Sequence, residues 1–310
     1  MKAMCSIAEI LYQGLQKEGL LYSTNIAAKY SMHFSYYRDF VKDAYWLQEF
    51  PIELKKRYES NISINCMRYA LAAKNFHKPL EREAVSAAIA FVVAGCCLDN
   101  MLDSGILEER QLALDKLNWD YCAHYFVTFG TRKALHPVDM LYEAIGSFLC
   151  KKSEIDYSAY KKLMQYLKRA AFSEQRSVDC SDFFSDEYIV RDKSVLFVVI
   201  GFLLALYGRH TSLEEKTFFL IGDIFRSIDD LCDFEEDKSG GSVNSLFIKK
   251  GTMEISDTIK IVQELQWLHN ALQQLSGYIE APFYEFIKFN LQLWTLENPY
   301  IYQKFLAGDF

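Results

Sequence analysis

The sequence predicts an all-helical protein folded as a single domain over residues 1–310. Three observations carry that prediction. Apolar residues recur at spacings of three and four in segment after segment, the pattern that buries one face of a helix. Only five prolines occur, at 51, 79, 137, 282 and 299, and the first four stand where the opening turn of a helix tolerates them. No low-complexity tract and no linker divides the chain.

In order, the periodicity predicts helices over 4–18, 24–48, 53–74, 79–103, 107–129, 136–150, 156–173, 185–208, 212–238, 252–275 and 277–295. The opening stretch, MKAMCSIAEILYQGLQKEGLL, is not read as a signal peptide, because Glu9, Gln13, Gln16 and Glu18 interrupt its apolar run. The two longest apolar runs, AVSAAIAFVVAGCCL (84–98) and VLFVVIGFLLALYG (195–208), fall short of the roughly 18–20 residues that span a bilayer. Both are expected to be helices buried on most sides. The clearest stop is DKSGGSVNS (237–245), where Gly240 and Gly241 can adopt positive φ.

With 51% hydrophobic and 24% charged residues, the chain can bury a substantial core. A net charge of −7 and a pI near 5.5 exclude the basic footprint that nucleic-acid binding needs. The eight cysteines (5, 66, 96, 97, 122, 150, 180 and 232) show no C-x-x-C pairing. They are expected to be reduced, core-filling thiols of a cytoplasmic protein, not a disulfide frame or a zinc site.

Carboxylates are distributed less evenly. In AGCCLDNMLDSG, Asp99 and Asp103 are four apart at the end of the first apolar helix, so they share a face. In DDLCDFEED (229–237), Asp229, Asp233 and Asp237 form a second ladder, with Asp230, Glu235 and Glu236 on neighbouring faces. Like charges at i,i+4 cost a helix ~0.2–0.5 kcal/mol per pair, so an offsetting partner is expected. A solvated acidic surface would be one answer. Two ladders growing out of the surroundings of the most apolar helices point instead to a hard divalent cation with oxygen ligands, magnesium above all.

Cations accompany the ladders. Arg191 and Lys193 open the second apolar helix, Arg226 lies one turn before Asp229 on the same face as Asp230 and Asp233, and Lys238 follows the ladder directly. Together with bound magnesium they would make a seat for a phosphate group, with Arg191, Lys193 and Arg226 as candidates for stabilising the leaving charge. The ordinary alternatives are intrahelical ion pairs, Arg226 with Asp230 or Asp223 and Arg191 with Glu187. Aromatics make up 15% of the residues. Most should be plain core, while Phe91, Phe197, Phe202 and Phe225, on the helices nearest the acidic ends, are candidates for lining a binding cavity.

These motifs resemble a known family. DNMLD (99–103) resembles the aspartate-rich D-D-x-x-D motif of class I isoprenoid synthases, with Asn100 in place of the second Asp. FRSIDDLCD (225–233) is similar to the second aspartate motif of the trans-prenyltransferases, with Arg226 where they carry Gln, and Asp229, Asp233 and Asp237 match the spacing of the terpene cyclases' N-D-x-x-S-x-x-x-E triad. RDKSVLF (191–197) is similar to the Lys-Thr motif of the prenyltransferases, with Ser194 for Thr. Within the superfamily, CCLDNMLD and DFEEDKSGG most resemble the tetraprenyl-beta-curcumene synthase group. The resemblance spans residues 80–250. It implies an antiparallel helical bundle around a deep apolar cavity, with three magnesium ions bridging Asp99, Asp103, Asp229, Asp233 and Asp237 to the diphosphate of a linear allylic substrate. Asn100, Lys238, Phe91, Phe197 and Phe225 would contact that substrate, for which a twenty-carbon chain is the expectation. The implied assembly leaves a homodimer open, with no integral membrane segment.

Departures from the family pattern select among reactions. Chain-elongating prenyltransferases carry an Arg-Arg pair just after the first motif and an upstream Gly-Lys-x-x-Arg, which bind a second diphosphate. Here SGILEERQLALDKL follows the first motif, with Arg110 and two glutamates, and no Gly-Lys-x-x-Arg precedes it. A terpene synthase acting on one substrate is therefore expected ahead of a transferase that uses isopentenyl diphosphate or another acceptor. No D-x-D-D motif of the squalene-type cyclases occurs. A catalytically inactive partner subunit of a synthase is a third reading, kept open by Asn100. In ENPYIYQKF (297–305), Tyr300, Tyr302 and Lys304 would form a lid over the diphosphate, or a tail packed by its aromatics.

Overall fold

Helix endings set the architecture. The computed structural model describes residues 52–130, 136–179, 187–240, 244–247 and 256–295; the helices expected over 4–18 and 24–48 lie outside these. The first described helix, α1 (Ile52–Asn75), stops in a left-handed turn at His77, φ 52°, with the Lys78 amide reaching back to the Ala73 carbonyl at 2.8 Å. That six-to-one bond satisfies a carbonyl the helix would otherwise orphan, and Pro79 then prevents resumption. Next come α2 (Arg82–Leu102), α3 (Leu107–Leu117) and α4 (Trp119–Phe126). The single helix expected over 107–129 is thus two. Asn118 leaves helical geometry at ψ 130° and its side chain accepts from the Asp120 amide at 2.9 Å, starting a new helix instead of continuing the old one.

Pro137 opens α5 (Pro137–Ser153) at its first position, and the His136 ring with the Asp139 carboxylate closes a reciprocal cap. Beyond it lie α6 (Tyr157–Asp179), α7 (Glu187–Ala205) and α8 (Ser212–Cys232). Thr211 caps α8 by the same reciprocal device, with Glu214. The helix expected over 212–238 breaks at Asp233, φ −95° and ψ 6°, after which α9 runs Phe234–Gly240. The break leaves the register intact: the Asp233 amide still bonds the Asp229 carbonyl at 3.0 Å, and the Asp237 amide the Asp233 carbonyl at 2.8 Å. A 3₁₀ turn (Ser245–Phe247), α10 (Asp257–Ser276) and α11 (Ala281–Thr295) complete the described chain, in which no strand occurs.

The two apolar helices form the centre. α7 packs against α2, α6 and α8, while α2 also meets α1, α3 and α5. By length and composition α2 could cross a membrane, yet Val85, Ala87, Ala88, Ile89, Ala90 and Val93 are buried in the bundle core, as the sequence led one to expect. Around the far end of α7, Phe202 stacks on Phe218 at 4.6 Å, with Tyr69 and Phe283 edge-on to it. Phe202, expected as a cavity candidate, is therefore a core residue. The six described cysteines, at 66, 96, 97, 122, 150 and 232, are free thiols.

One glycine fixes how closely two central helices meet. A methyl group at Gly222 on α8 would lie 3.0 Å from the Val195 carbonyl oxygen and 3.3 Å from its Cα. Backbone, unlike a flexible side chain, cannot swing away. Gly222→Ala is expected to destabilise the protein by ~1–3 kcal/mol despite alanine's better helix propensity, read as a lower urea midpoint.

Candidate active site

A cavity of about 740 Å³ opens beside the acidic end of the bundle, with walls from α2, α3, α4, α5, α6, α7, α8, α9 and α11. Asp99 and Asp103 of α2 line its mouth together with Asp229, Asp233 and Asp237 of the α8–α9 segment, so all five expected metal ligands share one cavity. Asp103 caps α2, its amide bonded to the Asp99 carbonyl at 2.9 Å, which stacks the two carboxylates at the helix end. Below the mouth the wall is carbon. Phe91 and Phe197 meet with ring centres 5.3 Å apart, Phe225 packs against Trp294 at 5.5 Å, and Phe126 and Tyr142 close the deep end.

Eight carboxylates line this cavity, the five above with Glu174, Asp230 and Glu236, against two cationic side chains among the described residues, Lys193 and Arg226. The imbalance registers in the proton affinities. Asp229 is pushed up to about 7, first by burial, then by the charges of Asp233 and Asp230, with Lys193 pulling the other way. Asp99 is raised by burial and by Asp103, again opposed by Lys193. Asp237 is raised by burial, moderated by the Asn244 amide that donates to it at 2.9 Å.

Lys193 sits amid these charges. Its ammonium is 3.7 Å from Glu174 of α6. Burial alone would lower its proton affinity, but Glu174, Asp99, Asp103 and Asp229 together raise it. Arg226 is otherwise engaged: it donates to Asp230 at 2.6 Å, to the Ser245 hydroxyl and to Glu264 at 3.3 Å, with Trp267 under the guanidinium. Asp230, buried, accepts from Ser245 as well, so the pair ties α8 to the 3₁₀ turn and α10. The ordinary ion pair foreseen for Arg226 is the one observed.

Several expected site residues lie elsewhere. Arg191 faces outward and forks onto Asp223 at 2.8 and 2.6 Å, because two residues along α7 turn it roughly half a turn away from Lys193, toward α8. Lys238 is exposed and pairs with Asp257 at 2.5 Å, off the cavity. Asn100 donates to the Cys96 carbonyl at 2.6 Å and to the Tyr58 hydroxyl at 3.0 Å, fastening α2 to α1 rather than lining the cavity. Tyr300, Tyr302 and Lys304 lie outside the described residues.

Glu174 is the cavity carboxylate to which none of the motifs points. Its signal is nonetheless in the sequence: Leu167, Ala171 and Glu174 follow at i, i+4 and i+7, so a glutamate occupies the apolar stripe of α6, and all three line the cavity.

The donor set suits a hard divalent cation by type and charge, since every acidic ligand offers oxygen. Among the described residues no three carboxylates, imidazoles or thiols converge as a ready-made metal cage. Comparison with protein-family models, with curated proteins and with solved structures finds no match to this chain, so its relation to any family rests on the motifs and on this cavity.

Proposed function

We propose that the protein is a magnesium-dependent class I terpene synthase, with the helical fold of that superfamily, that ionises a linear allylic isoprenyl diphosphate to a cyclic or rearranged terpene. The observation that carries this reading is the cavity itself: two acidic ladders from α2 and α8–α9 at the mouth of an aromatic and aliphatic interior. An anionic group would be repelled by eight carboxylates unless cations came with it. Magnesium, when bound, supplies the positive charge that makes diphosphate a leaving group. Lys193 contributes an ammonium beside that position, and the buried Arg226–Asp230 pair holds the α8 ladder in place. Phe91, Phe197 and Phe225 are lining rings that an allylic cation would meet, and the apolar part of the wall limits the water that would quench it.

A single substrate is favoured over a transferase because Arg110 is exposed on α3 and does not line the cavity, leaving no described cationic seat for a second diphosphate. The test is incubation with magnesium and radiolabelled farnesyl or geranylgeranyl diphosphate, with and without isopentenyl diphosphate. Cyclic hydrocarbon from the allylic substrate alone is expected. Lengthened product formed only with isopentenyl diphosphate, or no product from either chain length, would overturn the assignment.

Cavity shape should then govern product. A methyl group at Gly95 would fall on the Phe197 ring. Gly95→Ala is expected to push that ring into the cavity and change the product ratio, measured by gas chromatography and mass spectrometry, with helix content unchanged.

A further inference from the structure

One cation of the bundle has no carboxylate to answer it. Arg68 on α1 donates to the Asn65 carboxamide oxygen at 2.8 Å, and Asn65, itself buried, is held in turn by donating to the Asn61 carbonyl at 2.8 Å. The Arg68 Nε is buried without a hydrogen-bond partner, and among the described residues no carboxylate pairs with the guanidinium. Burial lowers its pKa to about 10, opposed by Tyr69, so Arg68 stays charged at neutral pH. Asn65 therefore orients the guanidinium without cancelling its charge. That charge lies over the Phe225 ring, 4.5 Å from the ring centre. Phe225 lines the cavity one helical turn before Asp229.

The other two phenylalanines of the wall differ. Phe91 and Phe197, with ring centres 5.3 Å apart, carry no stacked cation among the described residues. Lys193 stands one turn before Phe197, but Glu174, Asp99, Asp103 and Asp229 offset its charge. We propose that Arg68 makes the cavity wall electrostatically lopsided: it sets the Phe225 side against a cationic intermediate and directs positive charge to the Phe91–Phe197 pair of α2 and α7. A ring already polarised toward a guanidinium offers less to a second cation, and the guanidinium repels that cation through a wall of low dielectric. Both effects have the same sign whichever face of Phe225 the cavity meets. Arg68 is a positioning residue, since it is not among the cavity-lining side chains and acts through Phe225 on where charge settles, hence on which carbon atoms join. This inference rests on the reading of the cavity as a site of allylic-cation chemistry.

Calorimetric titration of the full chain with trimethylgeranylammonium, a permanently charged prenyl cation, in the presence of magnesium and inorganic pyrophosphate tests it, with neutral geraniol as the control probe. Arg68→Met should bind the cation about tenfold more tightly than wild type, with geraniol affinity unchanged. Asn65→Asp leaves Arg68 in place and supplies the missing counter-charge; it should tighten cation binding in the same direction, and it covers the case in which the methionine variant does not fold. Arg68→Lys, which keeps the charge, should behave as wild type. Phe225→Leu should change cation affinity by less than about twofold in wild type but weaken it about fivefold once Arg68 is methionine, while Phe197→Leu should weaken it about fivefold in both backgrounds. Unchanged cation affinity in Arg68→Met and Asn65→Asp, or an equal gain for geraniol, would overturn the role of Arg68. Failure of the wild-type protein to bind either probe with magnesium and pyrophosphate would instead overturn the reading of the cavity beneath it.

Discussion

Asp229→Ala is expected to lower turnover about a thousandfold or more, because it removes a carboxylate through which charge on the leaving group would be neutralised. Asp99→Ala on the opposite ladder should do the same. Each removes a carboxylate at the rim and little core packing, so the circular dichroism spectrum should be unchanged. Near wild-type turnover in either variant would show that the cavity mouth is not the reactive end. The isosteric change Asp229→Asn separates this loss from stability. Asp229 is pushed up to about 7, by burial first and then by Asp233 and Asp230. From about pH 4 to about pH 7 the native state keeps a proton that the unfolded chain has released, so stability of the metal-free protein falls as pH rises through that window. The amide introduced by Asp229→Asn cannot ionise, which removes the share of that slope due to Asp229 and leaves the shares of Asp99 and Asp237, also raised by burial. At about pH 8 the variant should therefore be more stable than wild type by ~1–3 kcal/mol, less than the full shift implies because water reaches the cavity. Urea melts without metal ion near pH 5 and near pH 8 measure it, and equal slopes in the two proteins would refute the argument.

The second large effect lies in a buried ion pair between α3 and α5. Lys116 and Asp139 are each 4% exposed, so their 2.6 Å ion pair joining α3 to α5 is sealed from water. The Tyr121 hydroxyl donates to the same carboxylate oxygen at 2.6 Å, and Asp139 also completes the cap of α5 through the His136 amide. Asp139→Ala leaves a buried ammonium without a counter-charge and a helix without its cap, an expected loss of ~3–5 kcal/mol. Lys116→Met combined with Asp139→Leu should recover most of that, since a buried pair replaced as a unit costs little. Burial raises the Asp139 carboxyl, but Lys116 and Tyr121 outweigh it and hold it below the usual range. Its contribution to stability is therefore present above about pH 4 and lost as pH falls through the folded value, which a set of acid melts would follow.

How much of this is legible in the sequence depends on the distance over which each cause acts. Helices announce themselves locally, through periodicity and caps, and most are readable. The two breaks that periodicity does not reveal, at Asn118 and Asp233, depend on a single side chain or a single φ,ψ pair inside a continuing pattern. The ladders are readable because a spacing of four fixes a shared face wherever the helix lies. What the cations do is not readable in the same way. Arg191 and Lys193 are two residues apart, yet one meets Asp223 and the other Glu174, a choice made by the packing of α6 and α8 around α7. Asn100 is next to a cavity residue and faces α1. Glu174 shows only as a charged residue on an apolar stripe, a signal that gains meaning once the stripe is known to border a cavity.

The helix that carries the first ladder ends beside its carboxylates: α2 stops at Leu102, with Asp103 as its cap. Peptide dipoles run along a helix so that the C-terminal end carries roughly half a negative charge. At α2 that end adds a backbone field of the same sign as the side chains. No substitution of an aspartate removes it. Variants that have lost turnover should therefore retain a weak, salt-sensitive attraction for divalent ions, so metal binding and catalysis will fail at different numbers of lost carboxylates.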